Sequence, residues 1–83
     1  MLRVSQTVRS TKTRDGGVLL DVGSGQMFSL NPVGSRVLAL IGRGQEEAEI
    51  AATIGKEFSV GIETATADVR EFLQSLLERG FIE

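Results

Sequence analysis

The 83-residue chain contains no cysteine, no histidine and a single proline. Without cysteine there is no disulfide, no thiolate nucleophile and no sulfur ligand for a metal. Without histidine the commonest general base and metal ligand are missing as well. Long hydrophobic runs are also absent. The longest, Val37 to Ile41, falls far short of the ~20 residues that cross a bilayer. Met1 to Ser10, MLRVSQTVRS, has no apolar stretch of the kind a signal peptide needs. These absences point to a soluble, cytoplasmic protein with no membrane partner. The composition, 41% hydrophobic and 24% charged, is that of a folded domain with one small core.

Charge is unevenly divided. Residues 1–44 carry six basic and two acidic side chains, and residues 45–83 carry three basic and nine acidic ones. A nucleic-acid reader would place positive charge on its C-terminal helices, and here those helices are the acidic part. Nucleic acid is therefore not the expected partner. Catalysis has little to rest on. Glu46, Glu47 and Glu49 suit the positive end of a helix dipole, and the serines and threonines have no histidine to activate them. The glycines of Asp15-Gly16-Gly17 and Gly23-Ser24-Gly25 each separate two strands and have no following lysine, so they read as turns rather than phosphate loops. No catalytic residue, metal or cofactor is expected.

The first third reads as three strands, at about 4–13, 18–21 and 26–30, with Asp15-Gly16-Gly17 supplying a tight hairpin. The rest reads as three helices, at about 32–41, 46–57 and 63–79. Asn31 is a good N-cap and Pro32 fits a first helical position, and Gly80 ends the last helix. The pattern predicts an α+β, winged-helix-like domain: a three-stranded antiparallel sheet with the third strand at an edge, followed by three helices.

On a helical wheel of about 100° per residue, Ala65, Val69, Phe72 and Leu76 lie along one line, expected to face the core. Leu73 and Leu77 lie on one shoulder, near Arg70, and Asp68 and Ser75 form a polar shoulder opposite. The apolar shoulder beside an edge strand suggests β-strand addition, in which an extended peptide pairs with the edge and its side chains enter neighbouring pockets. Met27 suits such a pocket because its side chain adapts to irregular partners.

These same segments resemble the PqqD-like family. The resemblance rests on Gly17-Val18-Leu19-Leu20-Asp21, Gly25-Gln26-Met27-Phe28-Ser29-Leu30-Asn31, Gly34, and Asp68 to Leu77 followed by Gly80-Phe81-Ile82. It extends from about Val8 to Ile82 and is strongest to the stand-alone proteins of lasso-peptide clusters. Phe28 stands where many relatives have Tyr, and Val37-Leu38 where many have Ile-Trp. The resemblance implies a non-catalytic recognition element that binds the leader segment of a ribosomal precursor peptide against the third strand and third helix. It also implies a second partner, a separate cysteine protease that removes the leader. On this reading the backbone of Met27, Phe28 and Ser29 pairs with the leader. Met27, Val69, Leu73, Leu76 and Leu77 line the pocket, with Asp68 and Arg70 at its rim. Phe28, Leu30 and Phe72 belong to the same motif with side chains mainly in the core, as do Leu38 and Ile54. Leu73→Glu would then weaken binding and spare the fold. A monomer or weak dimer is expected. A peptide chaperone for a radical SAM enzyme in a PQQ-like pathway, a winged-helix DNA binder and a dimer joined through the third strand remain the alternative readings.

Overall fold

A computed structural model describes residues 1–83. The chain forms β1 (Val8–Thr13), β2 (Gly16–Asp21), β3 (Met27–Leu30), α1 (Pro32–Gly42), α2 (Glu47–Glu57) and α3 (Ile62–Glu78). The strands make one antiparallel sheet in the order β1-β2-β3, and the α+β expectation of a meander followed by three helices holds. One face of the sheet packs on the helices through Val8, Leu19 and Leu30, all buried. The opposite face is bare, and Leu20 and its cross-strand neighbour Met27 are exposed there.

Two strand boundaries differ from expectation. The first strand begins at Val8 rather than Val4, because the chain turns at Ser5, whose carbonyl accepts the Val8 N–H at 3.0 Å. The segment before the turn crosses to the C-terminus instead. Arg3 and Glu83 exchange backbone hydrogen bonds of 3.0 and 2.8 Å, the Ser5 N–H donates to the Phe81 carbonyl, and Val4 bridges Ile82. β2 begins at Gly16 rather than Val18. The hairpin loop is Arg14-Asp15, and Thr13 pairs with Gly16.

Gly16 has a structural role the turn reading missed. Its φ is +141°, and an added Cβ would lie 2.0 Å from the Leu30 carbonyl oxygen and 2.5 Å from the Asn31 carbonyl carbon. Only a residue without a side chain lets β2 pass this close to the end of β3.

The helices begin and end on local signals. Asn31 accepts the Gly34 N–H at 2.8 Å and Pro32 opens α1. Glu46 and Glu49 form a reciprocal capping box at α2. After α3 the Gly80 N–H bonds Leu77 and the Phe81 N–H bonds Leu76, the Schellman pattern, with Gly80 at φ +76°. That sharp stop throws Phe81 into the core, where it is fully buried. Phe58 follows α2 as its C-cap and is 36% exposed.

Arg36 of α1 grips Glu57 at the end of α2 through two hydrogen bonds of 2.8 Å. The hydrogen bonds from Arg36 hold the Glu57 carboxyl below its ordinary pKa against the opposing effect of desolvation, and Glu57 raises that of Arg36. Asp21, beside the Thr7 hydroxyl and accepting the Gly23 N–H at 2.9 Å, is lowered too. A carboxyl whose folded pKa lies below its unfolded value stabilises above the ordinary range of about 4, and that contribution is lost as pH falls through the folded value. The thermal midpoint is therefore expected to fall on acidification below about pH 4. Glu57→Gln should lower the midpoint at neutral pH, and its deficit should shrink as the pH is taken below about 4. An equal deficit in both pH ranges would show that the ion pair is not its source.

Candidate functional site

A cleft of about 550 Å³ lies between β3 and α3, with the start of α1 at one end. It follows directly from strand alternation. Phe28 and Leu30 point to the helical side of β3, and the Asn31-Pro32 cap then turns the chain into α1. Phe72 of α3 meets Phe28 edge-on, with ring centroids 6.2 Å apart, and Phe28 in turn meets Phe81 at 5.9 Å. Gly34 makes room for this arrangement, since a Cβ there would approach the Phe72 ring to 3.1 Å. From α3 the cleft also receives Asp68, Val69, Glu71 and Ser75. At the Phe28 end the Arg79 guanidinium lies 5.2 Å from the ring centroid, within cation–π range.

The wall opposite α3 is an unpaired strand edge. The Asp21 N–H donates to the Gln26 carbonyl, which sets the alternation of the β2–β3 ladder. With Leu19 opposite Phe28 and Gly17 opposite Leu30, the backbone groups of Phe28 and Leu30 turn toward β2. Those of Met27 and Ser29 turn outward, with no neighbouring strand. A free row of N–H and C=O groups beside an apolar cleft can accept an extended peptide whose alternate side chains enter the cleft. The perturbed ionisable groups, Asp21, Arg36 and Glu57, all lie outside it, and no cluster of acidic side chains is placed to hold a metal.

Of the residues expected at the site, Phe28, Ser29, Leu30, Asp68, Val69 and Phe72 do line the cleft. The others lie elsewhere. Leu73, expected on the shoulder, is core at 2% exposed, and Leu76, on the expected core line, is buried at 0%; neither lines the cleft. Phe72, assigned to the core line, is only half-buried. The buried line is Ala65, Val69, Leu73 and Leu76, turned by about 25° from the expected one at ~100° per residue, because the ring of Phe72 is held between Phe28 and the Gly34 gap while Leu73 turns into the core. Arg70 points to α2 and pairs with Glu47 at 3.3 Å. Leu77 is exposed outside the cleft, and Met27 lies on the bare outer face of the sheet. Glu71 and Ser75 were not expected to matter. The polar shoulder of the wheel, Asp68 and Ser75, is the side that borders the cleft. Leu38 and Ile54 are buried as expected, and Ile54 also reaches the cleft wall.

With this geometry in place, comparison with known proteins is informative. The profile of the family described as Coenzyme PQQ synthesis protein D (PqqD) matches residues 16–82. Among solved structures, TbiB1 in complex with the TbiA(beta) leader peptide is similar at 36% identity and a TM-score of 0.89, covering 98% of this chain and 94% of TbiB1. A lasso peptide synthetase B1 complexed with the leader peptide is similar at 27% identity and a TM-score of 0.89, covering 99% and 96%. Curated protein sequences give no match.

Proposed function

The chain belongs to the PqqD family, and we propose that it binds the leader segment of a ribosomally made precursor peptide in lasso-peptide biosynthesis. The leader adds as a strand along the free edge of β3 and sets its side chains against Phe28 and Phe72. The chain itself does no chemistry: it holds the precursor for a separate cysteine protease that removes the leader. The observation that carries this reading is the outward backbone edge at Met27 and Ser29 beside the cleft. It is supported by the leader-bound state of both similar structures.

A single added strand buries about 1,000–1,200 Å², the low end of specific interfaces, and ordering the leader costs several kcal/mol. The expected dissociation constant is about micromolar to high nanomolar. Titration of fluorescein-labelled leaders of short precursor peptides encoded in the same genome, read by anisotropy, tests this. Absence of binding would overturn the leader-binding reading. Ser29→Pro tests the strand addition itself. It removes an N–H that β2 does not use, at an edge position where proline is tolerated. Losing one or two hydrogen bonds of ~1 kcal/mol each, together with steric obstruction, should weaken binding about tenfold or more. The circular-dichroism melt should stay close to the parent's. A proline variant that folds and binds at full strength would leave no place for β3 pairing.

A further inference from the structure

Three charged side chains border the leader cleft without partners. Asp68 and Glu71 line it directly, and Arg79 lies on the face of Phe28 at its other end. All three are exposed, and none takes part in the chain's ion pairs or side-chain hydrogen bonds. Their neighbours are treated differently: Arg70 is bound to Glu47, and Glu78 accepts from Gln74. Of the charges on and just after α3 that lack such partners, Glu63 sits in the first turn, and Asp68, Glu71 and Arg79 are the ones on the cleft side. There, residues 68, 72, 75 and 79 recur at helical spacing along one stripe.

The charges are also ordered. Phe72 packs against Gly34, beyond the C-terminal end of β3, while Arg79 meets Phe28 near its N-terminal end. The cleft is therefore acidic beside Leu30 and Asn31 and basic beside Met27 and Phe28. An added strand that continues the antiparallel sheet, the more stable pairing, runs opposite to β3. Its earlier residues pass the acidic end and its later residues pass Arg79. Glu71 and Asp68 lie eight and eleven residues before Arg79 in the sequence, about 12–17 Å along a helix. An extended peptide covers that distance in about four or five residues at ~3.3 Å each.

We propose that the cleft selects leaders by charge order, taking an extended peptide with a Lys or Arg followed about four or five residues later by an Asp or Glu. This rests on the leader-binding reading and adds a specificity to it. Asp68 and Glu71 receive the cation. Arg79, whose guanidinium lies over the Phe28 ring and makes no ion pair within the chain, takes the carboxylate in the forked geometry that suits a guanidinium. Apolar anchoring alone would allow the peptide to slide or reverse, and the opposed charges fix its direction.

The test is selection from a displayed library of random twelve-residue peptides on the parent protein and on a charge-reversed variant, Asp68→Lys/Glu71→Lys/Arg79→Glu. The substituted side chains are exposed, and a circular-dichroism melt verifies that the variant folds. The parent should enrich peptides with the cation N-terminal to the acid, and the variant should enrich the reverse order. An enriched peptide and its isomer with the two charges exchanged should differ about three- to tenfold in affinity for the parent, with the difference shrinking as salt is raised. Enriched peptides without charge order, or isomers that bind equally, would overturn the charge selection and leave leader binding standing. A parent that enriches no peptide would overturn both.

Discussion

Leu73→Glu is expected to abolish the cooperative melting transition. The side chain is 2% exposed, within the cluster that joins β2, α1, α2 and the C-terminal Phe81. Truncation of a buried leucine to alanine costs about 2–5 kcal/mol, and a carboxylate at the same place adds several more because it has no partner there. An 83-residue domain has about 4–12 kcal/mol of stability in total, so little or none would remain. Far-UV circular dichroism is the suitable probe, since the chain has no tryptophan or tyrosine. Leu73→Ala gives the graded form of the same result, a folded protein with a lowered midpoint. A Leu73→Glu protein that melts like the parent would return Leu73 to the surface and refute the helix orientation described above.

Gly16→Ala is expected to be nearly as damaging, although it adds one methyl group. The new Cβ would sit 2.0 Å from the Leu30 oxygen, and that atom belongs to backbone that cannot swing aside. The φ of +141° adds strain of its own. Backbone strain and overpacking together amount to about 2–6 kcal/mol. The chain can reduce this only by separating β2 from the end of β3, which displaces the same edge a leader would pair with. Leader affinity should therefore fall even in whatever fraction stays folded, as measured by anisotropy below the melting midpoint. An alanine variant with the parent's melt and affinity would mean that β2 and β3 do not approach in this way.

Sequence and structure part company most clearly on α3. Periodicity identifies the helix, its apolar character and its end at Gly80, because these depend on spacing and on local backbone preference. Rotation of the helix about its own axis is another matter. Phe72 and Leu73 are adjacent, both apolar, and either could point inward on a wheel. The decision comes from Phe28 and Gly34, which lie about forty residues away in the chain and hold the Phe72 ring at the cleft. The same kind of distant contact diverts Arg70 to Glu47 and draws the N-terminal segment away from β1 to pair with the C-terminus.

The sequence by itself determined the order of elements, the edge position of β3 and the alternation that separates Phe28 from Met27. Those features follow from residue type and from the periods of strand and helix, which act over a few residues. Only the tertiary structure decided which side of α3 faces β3, and with it the change from an apolar shoulder of leucines to a cleft of two phenylalanines bordered by charge. Helix rotation is set by whichever distant side chains fill the space, and that information is spread over the whole chain.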